Sequence, residues 1–190
     1  MITDGWVLFA LWETFYLIWA ISALLTSQKT EHIKNFFLQL LGIFIIIPFT
    51  SVAIWVERSQ FPEYSVLFKS SLIIILIGFI FTIVGLAFAV WARIKLGRNW
   101  SGSVKILPNH KLIRDGPFKI VRHPIYLGTL FGTLGTAIIL GDIIVWVIFI
   151  ISVFTLVSKS REEEILLLKQ FGSEYEQYKK DVKMLIPFLL

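Results

Sequence analysis

The sequence predicts an all-α integral membrane protein with about five transmembrane helices. Hydrophobic residues make up 56% of the 190-residue chain and charged residues only 16%, and the mean hydropathy is +0.78. A soluble domain is nearer half apolar and a quarter charged. The apolar residues also lie in long runs, several of them close to the roughly 20 residues that a helix needs to cross the hydrocarbon core of a bilayer.

Five apolar runs divide the chain. The first three have the length of full spans, and Pro48 in the second is expected to kink it. The last two are shorter and are separated only by Gly141-Asp142, which predicts a tight helical hairpin. The predicted runs are Gly5–Leu25, Phe36–Val56, Leu72–Ala92, Pro124–Leu140 and Ile143–Ser158. Residues 1–190 are expected to form a single membrane domain, with three N-terminal spans in 1–92 and a catalytic half in 93–190.

The distribution of basic residues predicts the orientation of these spans. With the N-terminus outside, sixteen of the 18 Lys and Arg residues fall in the cytoplasmic loops and the C-terminal tail, and only Arg58 and Lys69 fall outside. Cytoplasmic loops of membrane proteins carry such an excess of positive charge. We therefore expect a multi-pass protein with its C-terminus, its long polar loop and any site for a water-soluble cofactor on the cytoplasmic side.

Composition also argues against several classes of site and partner. The chain has no cysteine, so disulfides and thiolate metal sites are excluded. Its three histidines lie far apart and form no short-range metal motif. The net charge of +5 is explained by the basic loops, so neither a metal nor a nucleic acid is predicted.

The stretch RHPIYLG, residues 122–128, lies where a basic segment meets an apolar run. Pro124 suits the first turn of a helix, which places His123 near the cap. A helix start offers free N–H groups to an anion, and Arg122 adds a cation that can hold a carboxylate. Gly128 and Gly132 allow a helix or a ligand to approach closely. The stretch therefore indicates an anion site at the membrane surface; the alternative is a pair of interface anchors followed by packing glycines.

Two further segments are candidates for a site. The segment REEEILLLKQFGSEYEQY, residues 161–178, has apolar residues at helical spacing and predicts a C-terminal amphipathic helix that bends or ends at Gly172. Its glutamates, 162–164, point about 100° apart, so at most two can face one pocket; the alternative is a solvated helix start. The segment LGRNWSGSVKILPNHKLIRDGPFKI, residues 96–120, predicts a folded loop with a turn at 115–117 or, alternatively, a simple connector.

In this order, the three segments resemble the isoprenylcysteine carboxyl methyltransferase family, which belongs to a wider group that includes phospholipid N-methyltransferases. The resemblance covers about Leu96 to Pro187 and rests on LGRNWS, HKLIRDGPFKIVRHPIY and EEEILLLKQFGSEYEQY with a proline close behind. It implies transfer of a methyl group from S-adenosylmethionine, with S-adenosylhomocysteine as product. The implied acceptor is lipid-like, foremost the C-terminal carboxylate of an isoprenylated cysteine, and the implied partners are this substrate and membrane lipids.

The resemblance also assigns roles to individual residues. Glu163 is a catalytic candidate, and Lys159 is a candidate for binding the substrate. Arg122 is a candidate for both roles on its chemistry, because its guanidinium can hold a carboxylate. Phe118 stands where the family often has tyrosine, and Lys159 stands where the eukaryotic enzymes carry a substrate-facing arginine, whose fork a lysine lacks. The expected cofactor-binding residues are Ser103, His110, Lys111, Leu112, Ile113, Phe118, His123, Pro124, Ile125, Tyr126 and Glu163.

The nature of the acceptor stays open at this point. A carboxylate is ionised at neutral pH and needs no general base, whereas an amine must lose a proton, which would make Glu163 or His123 a base. The sequence shows no dedicated base, which favours a carboxylate. Two other readings remain: a membrane reductase of steroid or enone type that uses a nicotinamide cofactor, and a small transporter or scaffold. The sequence has no repeated halves, which argues against a transporter.

Overall fold

The computed structural model describes residues 2–26, 66–99 and 112–186, and in these ranges its regular structure is helical apart from one β-bridge between Val66 and Asp142. The α-helices of the described part are α1 (Ile2–Thr26), α2 (Leu72–Leu96), α3 (Pro124–Leu140), α4 (Ile143–Phe171) and α5 (Ser173–Asp181). Short 3₁₀ turns cover Gly97–Asn99 and Gly116–Lys119. The predicted all-α class is confirmed for these residues.

The helices have the surface of a membrane protein. Within the described part, Gly5–Ser22 of α1, α2 and α4 are long and apolar enough to cross a bilayer, and α3 is a shorter apolar helix of 17 residues. Large apolar side chains face outward, including Phe154, which is 71% exposed. The predicted second span, Phe36–Val56, lies outside the described residues. The integral membrane class is therefore supported, while the number of five spans stays a prediction.

The last two apolar runs form the predicted tight hairpin. Gly141 ends α3 in the left-handed conformation, with φ of 61°, which glycine adopts without strain. Asp142 then caps α4, because its carboxylate accepts a 2.8 Å hydrogen bond from the backbone N–H of Ile144. The backbone N–H of Leu67 donates to the Gly141 carbonyl at 2.8 Å, which attaches the segment before α2 to this turn.

Two predicted helix ends were wrong. The third run was expected to end at Ala92, but α2 continues to Leu96 with Arg93 buried in its last turn. The Arg93 guanidinium lies 5.7 Å from the ring centre of Trp19 and donates to the Gly97 carbonyl at 3.1 Å, so a charged residue is kept within the helix.

The fifth run was expected to end at Ser158, with a separate amphipathic tail helix, but α4 continues unbroken to Phe171. The residues that follow Ser158 are largely good helix formers, and none is proline or glycine before Gly172. A helix of 29 residues is about 43 Å long, which exceeds a hydrocarbon core of about 30 Å. The charged end of α4 therefore extends past the apolar part. Gly172, at φ of 51°, ends the helix as predicted.

Glycines bring α2 and α3 into backbone contact. A Cβ atom built on Gly85 would lie 2.6 Å from the Gly128 carbonyl oxygen, and one built on Gly128 would lie 2.7 Å from the Ala89 amide nitrogen. Gly78 and Gly135 meet in the same way at the other end of the pair. The G-x-x-x-G face of α3 is therefore used for packing within the chain.

The first helix packs against this pair on one side. Phe15 of α1 shares a buried apolar cluster with Leu86 and Ala89 of α2. Trp12 donates from Nε1 to the Thr136 hydroxyl of α3 at 3.0 Å. These contacts fix α1 on the α2–α3 pair, while the charged end of α4 and helix α5 lie against the start of α3.

Candidate active site

The site is built on the start of α3. Pro124 occupies the first helical turn and His123 is the N-cap residue, as the sequence predicts. Both residues are buried. The backbone N–H of His123 donates to the Met184 carbonyl at 3.0 Å, so the N-terminal end of α3 is closed by residues that follow α5. The polar side chains of this turn consequently face the end of α4.

Four predicted residues meet at this point. The Tyr126 hydroxyl donates to the Glu163 carboxylate, and the other Glu163 oxygen lies 3.5 Å from His123 Nδ1. The rings of His123 and Tyr126 are parallel, with centres 5.6 Å apart. Lys159, one helical turn before Glu163, places Nζ 5.5 Å from the centre of the Tyr126 ring. The first turn of α3 and the charged end of α4 thus form one polar cluster at the edge of the apolar bundle.

A second carboxylate lies on the inner side of His123. Glu164 is 6% exposed and lies 2.7 Å from Arg122 Nε, 2.9 Å from Lys179 Nζ and 3.6 Å from His123 Nε2. The imidazole therefore has one carboxylate at each nitrogen. We call Glu163, His123 and Glu164 the histidine array.

The two carboxylates determine the charge of the imidazole. Burial by itself would lower the pKa of His123, but Glu163 and Glu164 together outweigh burial and raise that pKa above its ordinary value. His123 therefore keeps its proton to a higher pH than an isolated histidine does.

Arg122 joins the site to the segment after α4. Besides its contact with Glu164, Arg122 Nη1 donates to the carbonyls of Lys179 and Val182, and its backbone N–H donates to the Lys183 carbonyl at 2.8 Å. The Tyr178 hydroxyl adds a 2.6 Å hydrogen bond to the Phe118 carbonyl. We call these contacts between residues 118–123 and residues 178–184 the C-terminal clasp. The guanidinium predicted to hold a substrate carboxylate is engaged within the chain.

The remaining predicted residues fall into two groups. Ser103, His110 and Lys111 lie outside the described residues. Leu112, Ile113 and Ile125 are half-buried, and Phe118 is buried in a 3₁₀ turn, where its carbonyl belongs to the clasp. The predicted residues that the structure brings together in the polar cluster are His123, Tyr126, Lys159 and Glu163, and Arg122 is linked to them through Glu164.

Sequence reasoning missed Glu164 and Lys179. The helical geometry predicted that at most two of the three consecutive glutamates face one pocket. The structure agrees, since Glu162 is exposed while Glu163 and Glu164 face His123. Glu164 shares its face of α4 with Ser160, a fully buried residue one turn earlier, but this burial is visible only in the folded protein.

The donor set suits a ligand that carries both a cation and polar groups. The Glu163 side chain is 25% exposed, whereas that of Glu164 is 9% exposed, so Glu163 is the more open acceptor. The Lys159 ammonium lies over the face of the Tyr126 ring, within the distance of a cation–π contact. A carboxylate beside an aromatic face can hold a cationic group of a ligand.

Comparisons with known proteins identify the family of this chain. The sequence model of the isoprenylcysteine carboxyl methyltransferase family matches residues 72–169, just over half of the chain. The match includes α2, which the motifs in the sequence did not reach, and it contains the cluster from Arg122 to Glu164.

Curated relatives carry the same name. A probable protein-S-isoprenylcysteine O-methyltransferase from Oryza sativa subsp. indica is 31% identical over 136 residues, which are 70% of this chain and 69% of the relative. The Schizosaccharomyces pombe protein-S-isoprenylcysteine O-methyltransferase is 35% identical over 101 residues, 52% of this chain and 43% of the relative. These relatives favour the methyltransferase over the reductase and the transporter.

A solved structure has a similar fold. The eukaryotic intramembrane Ras methyltransferase, an isoprenylcysteine carboxyl methyltransferase, matches with a TM-score of 0.62 and 25% identity. The match covers 78% of this chain and 56% of that chain, so the present chain spans little more than half of that protein. On the family match, the relatives and the fold together, the chain belongs to the isoprenylcysteine carboxyl methyltransferase family.

Proposed function

We propose that this chain transfers a methyl group from S-adenosylmethionine to the carboxylate of an isoprenylated cysteine or of a similar lipid-like acceptor, on the cytoplasmic side of the membrane. The observation that carries the proposal is the cluster of Glu163, Tyr126 and Lys159, an open carboxylate and an aromatic face beside a cation, in a member of this family. The curated relatives are named for this activity, as protein-S-isoprenylcysteine O-methyltransferases.

The described residues suggest how the cofactor would be held. Glu163 would accept hydrogen bonds from its ammonium group, and the Tyr126 and His123 rings would pack against it. Ser103, His110, Lys111, Leu112, Ile113, Phe118, Pro124 and Ile125 stay predicted cofactor contacts. When bound, the cofactor supplies a methyl group on a sulfonium sulfur that needs no further activation.

The protein's own part is to orient the acceptor and to exclude water from it. Lys159 is the better placed of the two predicted anchors for a carboxylate, because the Arg122 guanidinium is engaged by Glu164 and by backbone carbonyls. The half-buried Lys159 lies where the apolar part of α4 meets its charged end, so its ammonium can pair with a carboxylate whose lipid chain stays in the bilayer.

The histidine array favours a carboxylate over an amine as acceptor. An amine must lose a proton to a base, and both ring nitrogens of His123 face carboxylates of the protein, so neither is open to an acceptor amine. A carboxylate is ionised at neutral pH and makes no such demand. This argument disfavours phospholipid N-methylation at the same site.

The first test is equilibrium binding of S-adenosylhomocysteine to detergent-purified protein, measured by calorimetry. We expect Glu163→Gln to weaken binding about tenfold or more, the effect of one charge-assisted hydrogen bond. Glu162→Gln is the matched control, because this exposed neighbour undergoes the same chemical change. The proposal would be contradicted if folded, monodisperse wild-type protein did not bind S-adenosylhomocysteine.

The second test identifies the acceptor. Purified protein in lipid is given labelled S-adenosylmethionine and one of two acceptors, an S-prenylated cysteine with a free carboxylate or an aminophospholipid. Transfer to the first compound, with none to its carboxamide, is expected. Transfer to the amine alone would overturn the choice of a carboxylate.

A further inference from the structure

A buried ion cluster lies behind the proposed cofactor site. The Glu164 side chain is only 9% exposed, and it is paired with groups from two other segments, Arg122 and His123 before α3 and Lys179 on α5. An ionised carboxylate is costly to bury unless it is paired in this way. Contacts from two sides hold Glu164 in one position.

The contact with His123 links Glu164 to the site. His123 Nε2 lies 3.6 Å from Glu164, and His123 Nδ1 lies 3.5 Å from Glu163, so the imidazole is the only part of the array that touches both carboxylates in the described structure. His123 Nε2 makes no hydrogen bond within the described residues, so the effect of Glu164 on the ring is electrostatic. A negative charge near Nε2 favours the protonated ring, which carries an N–H at Nδ1 on the side of Glu163. Glu163 in turn accepts from the Tyr126 hydroxyl.

On this basis we propose that Glu164 is a positioning residue of the methyl-transfer site, which acts through His123 to hold Glu163 and Tyr126 in the geometry that binds the cofactor. The inference rests on the proposed function, since it assigns the cofactor to Glu163. It adds a role for a residue that touches neither cofactor nor acceptor. The groups that face the imidazole are Glu163 and Glu164 on α4 and Tyr126 on α3. Arg122 precedes His123 in the sequence and pairs with Glu164, and Lys179 of α5 also pairs with Glu164.

The first readout is the titration of His123, followed by NMR on protein labelled at its three histidines. Loss of one signal in His123→Gln assigns the resonance. In Glu164→Gln, a variant of nearly the same shape, the midpoint of the titration is expected to fall by about one pH unit. The exposed control Glu162→Gln should leave it unchanged.

The second readout is calorimetric binding of S-adenosylhomocysteine across the same pH range. Glu164→Gln is expected to weaken binding about tenfold and to move the pH at which binding declines in parallel with the His123 midpoint. Lys179→Met removes a different partner of Glu164 and leaves the histidine array intact. It should lower the thermal midpoint without lowering the His123 midpoint, because the Glu164 carboxylate is still present. This difference separates positioning from simple loss of structure.

The outcomes distinguish this inference from the proposed function. A folded Glu164→Gln protein whose His123 midpoint and binding profile both equal those of the wild type would overturn the positioning role. If Glu164→Gln does not fold, Glu164→Asp, which keeps the charge on a shorter chain, must bind more weakly with a shifted profile, and unchanged binding would overturn the role. Wild-type protein that shows the His123 shift but binds no S-adenosylhomocysteine would count against the proposed function instead.

Discussion

Arg122 shows how one residue can hold several segments together. Its planar guanidinium contacts the Glu164 carboxylate and two backbone carbonyls that follow Tyr178, and its side chain is only 8% exposed. Arginine provides the fixed donors for such an arrangement, and lysine would offer a single point of charge. The residue predicted to meet the substrate is, in the described structure, the centre of the C-terminal clasp.

Replacement of Arg122 by alanine is expected to destabilise the protein strongly. Removal of one partner from a buried ion pair typically costs about 3–5 kcal/mol, because the other charge is left buried. The thermal midpoint in detergent should fall and methyl transfer should fall with it, whereas Arg161→Ala, at an exposed position, should change neither. A wild-type thermal midpoint combined with lost methyl transfer would instead support direct contact with the acceptor.

At the scale of elements, the packing of α2 against α3 depends on glycines, which have no side chain at the points of contact. Gly85 and Gly128 lie against each other's backbone, so no movement of a flexible group can make room for a methyl. Such close contact is a common means of helix association in membranes, where lipid is as apolar as leucine. The pair carries the start of α3, and with it His123 and Tyr126.

The substitutions Gly85→Ala and Gly128→Ala are each expected to lower stability by about 1–3 kcal/mol, despite the better helix propensity of alanine. Gly5→Ala is the matched control, because a Cβ atom there meets nothing within 4 Å. The unfolding midpoint in a denaturing detergent series measures the difference. Equal midpoints for Gly85→Ala and Gly5→Ala would contradict the interface.

Elements were predictable from sequence to the extent that their signals are local. Pro124, Gly141 and Gly172 mark helix ends through backbone geometry, and all three ends were correctly predicted. The end of α2 was not correctly predicted, because Arg93 stays within the helix in contact with the Trp19 ring. Trp19 lies 74 positions away in the sequence and on another helix. Glu164 was missed for the same reason, since its partners Arg122 and Lys179 become neighbours only after the hairpin has folded.

At the scale of the whole molecule, orientation in the membrane decides which compartment the site serves. The prediction is that the charged end of α4 faces the cytoplasm and the segment before α2 faces outward. The chain lacks cysteine, so single cysteines can be introduced without background. Glu162 and Lys69 are exposed positions at the two ends.

In intact cells, a membrane-impermeant maleimide is expected to label Lys69→Cys and not Glu162→Cys. After permeabilisation both variants should react, which controls for the accessibility of each position. The reverse pattern would place the site outside and contradict the orientation drawn from the basic residues.

The C-terminal clasp also sets an order of events during synthesis. The backbone N–H groups of Arg122 and His123 find their acceptors on Lys183 and Met184, which leave the ribosome about 60 residues later. By then all of α3 and α4 has been synthesised, because both helices precede Lys183 in the sequence. The clasp can therefore close only after both helices have been made, and a nascent chain arrested before Lys183 would contain both helices of the site and lack the acceptors that close the start of α3.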